Sequence, residues 1–257
     1  MDFKKTALRV VFSLMALAGL ALTLLTRTAA IGDGASSGDK LLFASSLLLL
    51  LLGMVLLLSS LMPRSGPTDV RKLTLCAMFA ALCYIGFAYL RIDIPIGSEK
   101  TAFHLGNVFC VLAALLLGGL WGGMAGAVGL TLADLTSGYI TSAPKTFLMK
   151  LGIGLVTGLV AHGLFHIQGN RENRRVSLPV AVTLSCAAGM AFNTFVDPIV
   201  GYFYKSYVLG VPQDAARIWV KLGAVTTLVN AVIATVVATV LYLALRPALK
   251  RSRLLSV

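Results

Sequence analysis

Eight residues could carry chemistry in this chain: Asn107, Asp134, Lys145, Lys150, Asn193, Asp197, Trp219 and Lys221. Each is polar, charged or amphipathic, and each stands inside or at the end of a strongly apolar stretch. Ionisable groups at membrane depth are costly, so they face a protein interior or a solute path. Asn193 and Asp197 are four apart and share one face of a helix. Pro198, next in the chain, lacks an N–H and frees a backbone carbonyl there. Carboxamides, carboxylates, ammonium groups and an indole suit hydrogen-bonded capture of a small polar solute, because a ligand site needs a few placed polar groups and an apolar wall.

The patterns of bond-making chemistry are missing from the sequence. The stretch nearest to a phosphate-binding loop, Gly97-Ser98-Glu99-Lys100-Thr101, has the wrong spacing. No HExxH occurs. Ser185, His162 and Asp197 are the right types for a triad, but the helix order puts His162 and Asp197 at opposite sides of the membrane. His162 and His166 are four apart without a carboxylate or cysteine beside them, a poor metal or haem site. Cys76, Cys83, Cys110 and Cys186 all sit in apolar runs as packing residues. The chain reads as a binding protein, not an enzyme, with no cofactor and no metal.

The elements that must position these residues are membrane helices. The chain is 58% hydrophobic and 12% charged, with mean hydropathy +0.89; a soluble domain carries about twice that charged fraction. Apolar windows near 10–25, 41–62, 73–90, 104–118, 121–138, 146–166, 178–203 and 218–245 predict eight spans. The net charge of +12 comes from clusters that topology explains. Lys4, Lys5 and Arg9, then Arg64, Arg71 and Lys72, then Arg171, Arg174 and Arg175, and finally Arg246, Lys250, Arg251 and Arg253 all fall on one side. Basic residues mark cytoplasmic loops. Both termini are therefore expected inside a bacterial-type cell membrane, and nucleic acid is not expected as a partner. The N-terminus resembles a signal peptide, but its apolar run is long for one, which favours an uncleaved span.

Composition divides the chain into a transmembrane hairpin at 1–62, a Pro/Gly/Ser linker at 63–70, a six-helix unit at 71–246 and a basic cytoplasmic tail at 247–257. The six-helix unit holds nearly all the intramembrane polar groups. Alternating helix direction gathers those of five helices in one outer layer, beneath the loop RIDIPIGSEKT at 91–101. Asn230 lies deeper, where hydrogen bonding between helices is the expected role. Gly119, Gly123 and Ala127 form one small-residue line, and Gly122 with Gly126 another, as close helix packing requires. Ala77 and Ala81 share one face of the first helix of the unit.

The stretch FHLGNVFCVLAALLLGG, followed by GGMAGAVG, LADLTSGY and PKTFLMK, resembles the substrate-binding (S) component of an energy-coupling factor (ECF) vitamin transporter. It is similar to the branch grouped with riboflavin, pyridoxine and hydroxymethylpyrimidine S components, over about residues 70–246. The resemblance implies an all-α polytopic membrane protein with a six-helix bundle, here preceded by an extra N-terminal transmembrane hairpin. It implies capture of a water-soluble vitamin near the outer face under the 91–101 loop, whose Asp93, Glu99 and Lys100 become lid residues. It also implies docking through Ala77 and Ala81 to a membrane coupling (T) subunit that carries two ATPase subunits. Charges of both signs suit a small neutral heterocycle or a zwitterion equally well, and the family branch implies a lean towards a pyridoxine- or pyrimidine-like ligand over riboflavin. The competing reading is an autonomous transporter coupled to protons or ions through Asp134 or Asp197, although the two halves show no inverted repeat.

Overall fold

The computed structural model describes residues 3–31, 70–96, 99–168 and 176–251, with scattered positions between 38 and 60. The described residues form seven α-helices and one two-stranded hairpin. These are α1 (Phe3–Ile31), α2 (Val70–Ala88), β1 (Arg91–Ile96), β2 (Glu99–His104), α3 (Gly106–Leu117), α4 (Gly119–Thr136), α5 (Ala143–Gly158), α6 (Leu178–Phe203) and α7 (Gln213–Arg251). A wider π-turn extends α5 over Leu159–Leu164, and another extends α6 over Tyr204–Val208. The architecture is the all-α membrane type expected. Among the described residues, Val70–Ala88, Ile140–Leu164, Leu178–Val208 and Gln213–Arg251 are long and apolar enough to cross a membrane. Most of the second hairpin helix, the linker at 63–69 and the basic residues Arg171, Arg174, Arg175 and Arg253 lie outside the described residues.

Two compact units divide the chain, one made of residues 62–198 and 221–257, the other of 1–61 and 199–220. The larger unit is organised around α4. On one face, Gly119 lies against Gly158 and Gly123 against Gly154, bringing the α4 and α5 backbones together. On another, Gly122 meets Ala114 and Gly126 meets the Cys110 side chain of α3, while Gly129 meets the Ala80 carbonyl of α2. Lipid tails are as apolar as leucine, so dispersion across such close approaches, not release of water, drives helix association. Both small-residue lines are therefore packing seams.

Helix α3 has 12 residues. At 1.5 Å per residue that is about 18 Å, short of a hydrocarbon core of about 30 Å. It is covered by protein instead: Val108, Cys110, Val111, Ala113, Ala114 and Leu115 are all essentially inaccessible. It stops at Gly118, whose φ of 89° turns the chain sharply into α4. The carbonyls left over at its end still need donors. The Gly118 N–H serves Ala114 at 3.1 Å, His162 Nε2 approaches the same oxygen at 3.1 Å, and Gln168 Nε2 donates to Leu116 at 3.0 Å. His162 thus ties the end of α5 to the end of α3. Ser185 donates its hydroxyl to the Ala181 carbonyl at 2.7 Å, a helical back-bond that satisfies it within an apolar helix.

The segment read from sequence as a polar loop is a β-hairpin. Its strands pair antiparallel from Arg91↔His104 to Ile96↔Glu99. A Gly-Ser pair between two alternating runs is a hairpin signal in its own right. Pro95 is tolerated because a two-stranded sheet leaves an edge on each side. The hairpin returns to α2 where the Leu105 N–H donates to the Gly86 and Leu90 carbonyls at 3.0 and 3.2 Å.

In the smaller unit, Gly53 packs against the backbone of Ala16 on α1, and Arg9 Nη2 donates to the Ser60 carbonyl at 3.2 Å. Lys205 Nζ stands 5.2 Å from the Trp219 ring centroid. Phe203 stacks on Tyr207, in the manner of an aromatic belt at a membrane interface.

Candidate functional site

The glycine contacts set the registers that build the site. α4 and α5 run antiparallel, and carrying the Gly119–Gly158 and Gly123–Gly154 pairs one turn further sets Ala127 level with Lys150. The α5–α6 pairing runs from Gly189 beside Thr157, through Gly152 beside Phe192, to Lys145 beside Asp197. Between those rungs, Asn193 falls level with Lys150. On α3, the Cys110 thiol points to the Lys150 carbonyl at 3.8 Å, so Asn107, one turn earlier on the same face, stands just beyond that level. Antiparallel registers therefore collect residues distant in sequence into two adjoining layers.

One layer is neutralised. Lys145 Nζ meets Asp197 Oδ1 at 2.8 Å, with side chains 17% and 25% exposed. Asp134 closes α4 near this pair and takes a hydrogen bond from Thr146. Lys145 therefore pairs with Asp197 and not with Asp134. Among the described residues Lys150 forms no ion pair, although Asp197 and Asp134 both lie within its electrostatic reach.

The second feature is a set of buried polar atoms without partners. Asn107 and Asn193 are each 2% exposed and Asp134 is 4%. Among the described residues, nothing donates a hydrogen bond to Asn107 Oδ1, Asn193 Oδ1 or Asp134 Oδ2. Leaving such a group unsatisfied costs about 1–3 kcal/mol, so three of them on adjoining turns call for an explanation. A solute carrying hydrogen-bond donors would satisfy all three.

The hairpin is tied to the chain just after α4. Asp93 is held by Arg91 Nε at 3.0 Å, by the Tyr139 hydroxyl at 3.0 Å and by Lys100 Nζ at 3.7 Å. Lys100 also donates to the Ser137 carbonyl at 3.1 Å and stands 4.6 Å from the Tyr139 ring centroid. These two residues latch the hairpin to the end of α4. The Glu99 side chain lies outside the described residues. Burial, and then the bond to the Asp93 carboxylate, raise the Tyr139 phenol well above its ordinary range, so it donates at any physiological pH. Asn230 bonds to the hairpin and not to another helix: its Nδ2 donates to the Ala102 carbonyl at 2.9 Å, and its Oδ1 accepts from the His104 N–H at 3.1 Å.

The other candidates lie apart. Trp219 belongs to the smaller unit, beneath Lys205. Lys221, near the start of α7, is exposed and does not join Asp134 or Lys150. Ala77 and Ala81 are exposed on α2 beside Met78 and Leu82, a smooth apolar face. Residues that the sequence reading passed over are Arg91, His104 and Tyr139, which the hairpin brings together around Phe87: its ring is 4.6 Å from His104 and 5.4 Å from Tyr139. The alternation on either side of Gly97-Ser98 was the signal that would have placed them.

The family model of the ECF-type riboflavin transporter, S component, matches residues 68–247. A curated protein of Pyrococcus woesei, described as "Uncharacterized protein in gap 3'region", is 36% identical over 74 residues, or 29% of this chain and 49% of that protein. The chain thus spans about half the length of that relative. No solved structure matches the chain.

Proposed function

This chain belongs to the S components of ECF-type transporters, and from that premise we propose that it captures a water-soluble vitamin or vitamin precursor at the outer membrane face. Partner subunits then drive uptake with ATP. The basic clusters favour cytoplasmic termini, which puts the hairpin and the layer beneath it outside. The family description names riboflavin; the residues at the site are equally suited to a smaller heterocycle.

The observation that carries this reading is the group of deeply placed, unpartnered polar atoms on Asn107, Asn193 and Asp134, with the unpaired Lys150, under a latched hairpin. In the reading proposed here, those four residues face the solute and the Lys145–Asp197 pair frames them. Ala77 and Ala81 meet the coupling subunit, which two ATPases accompany. The N-terminal hairpin is an accessory to the six-helix unit.

The test is mass spectrometry of small molecules released from the purified, denatured protein, followed by titration with riboflavin, pyridoxine and hydroxymethylpyrimidine. A stoichiometric vitamin is expected, with its affinity lowered at least tenfold in Asn193→Ala and in Lys150→Ala, roughly one hydrogen bond each. Absence of any released compound and of any binding would refute the proposal.

A further inference from the structure

Resting on the substrate-binding reading above, we propose that His104 is a substrate-binding residue carried by the lid, and that Asn230 is the positioning residue that holds it over the site.

Asn230 and Ala102 are each 5% exposed, and the Asn230 carboxamide is spent entirely on β2. It takes the His104 N–H and gives to the Ala102 carbonyl, much as a neighbouring strand would. The hairpin is thus fixed at its His104 end by α7, a helix more than a hundred residues away in sequence. The imidazole is fixed as well. The Gly106 N–H, at the start of α3, donates to Nδ1 at 3.2 Å. An Nδ1 that accepts leaves the ring proton on Nε2. The Phe87 edge contact at 4.6 Å between centroids completes the cradle.

Nε2–H has no partner among the described residues, yet the ring stands deep in the protein within electrostatic reach of Lys150. Both residues are surrounded by protein in depth and still keep accessible surface. Partial exposure on both, within electrostatic reach of each other, lets one solute contact the two. Burial, with the cations of Lys150 and Arg91, pushes the His104 pKa down to about 3, so the ring stays a neutral, single donor. An imidazole N–H and an ammonium within reach of one solute both require acceptors. The ligand therefore presents a carbonyl oxygen or an unprotonated ring nitrogen at this end, and donors at the end facing Asn107, Asn193 and Asp134.

Two conservative substitutions separate ligand contact from helix capping. In His104→Asn the side-chain oxygen can still accept from Gly106, but nothing replaces Nε2–H. In His104→Gln the amide reaches the Nε2 position, but the acceptor for Gly106 is lost. The full-length protein is titrated with riboflavin by flavin fluorescence quenching and with pyridoxine by calorimetry. Expected are a roughly tenfold rise in Kd for His104→Asn, a change within about threefold for His104→Gln, and a roughly tenfold faster release for Asn230→Ala. Asn230→Ala should also speed hydrogen exchange at the His104 amide, with or without ligand. The reverse order, with Gln weak and Asn at wild-type affinity, would reduce His104 to a helix cap and overturn the proposal. So would unchanged affinity and release in all three variants of a protein that binds either vitamin. If the unmodified protein binds neither vitamin and releases no small molecule, the functional reading falls and takes this inference with it.

Discussion

Removing one member of the Lys145–Asp197 pair should cost far more than removing both. The pair closes at 2.8 Å with side chains 17% and 25% exposed. At an effective dielectric of about 20, unit charges that close attract by about 6 kcal/mol, but most of that is offset by desolvation. Losing one partner of a fully buried pair costs about 3–5 kcal/mol, and of an exposed pair about 0–1 kcal/mol. The intermediate exposure here gives about 2 kcal/mol for Lys145→Met or Asp197→Leu alone. The double variant, with both charges gone and the volume kept, should be within about 0.5 kcal/mol of wild type, a coupling of several kcal/mol across the cycle. Equilibrium unfolding in mixed micelles measures the four proteins, and vitamin titration follows on each. If the pair only frames the site, the double variant recovers affinity to within about threefold. A coupling below about 0.5 kcal/mol would refute the structural role. A stable double variant that binds as poorly as Asp197→Leu would show that the carboxylate itself touches the ligand.

Ala77→Trp combined with Ala81→Trp should leave vitamin affinity unchanged and abolish uptake and co-purification of the coupling subunit, since both positions are exposed on α2; persistent uptake would place docking elsewhere. Gly154→Leu should destabilise the protein by about 3 kcal/mol or prevent insertion, because any Cβ there meets the Gly123 backbone, and unfolding curves read it directly. Acid should weaken the lid. His104 is neutral when folded, with a pKa of about 3, and ordinary when unfolded. The unfolded chain therefore binds the extra proton, and stability that is full above pH about 6.5 falls as the pH drops towards 3. His104→Gln should flatten that part of the stability profile, and an unchanged slope would dissociate it from this residue.

Much of the helical layout was legible in the residue order. Helices α2 to α7 lie within a few residues of the apolar windows, apart from α7, which runs further at both ends, because a run of apolar side chains near the length of a bilayer has few other stable arrangements. The two glycine lines were recognisable as packing seams for the same reason. Asn193 and Asp197 were placed on one face by helical spacing alone. The hairpin was misread as a loop, although Gly97-Ser98 between alternating residues carried the signal, because Pro95 and the polar composition suggested irregular chain.

What the sequence by itself determined is a chain of membrane helices with polar residues embedded at particular heights, since hydropathy and helical periodicity are local properties. Which of those residues meet was decided only by tertiary packing. Residue order alone left Lys145 with either Asp134 or Asp197, and the α5–α6 register chose Asp197. Asn230 had no visible partner, and the return of α7 against β2 gave it Ala102 and His104. Side-chain pairing depends on the rotation and offset of whole helices, and those follow from where glycines let backbones approach. The residues that set the site's geometry, Gly119, Gly123, Gly154 and Gly158, therefore carry none of its chemistry.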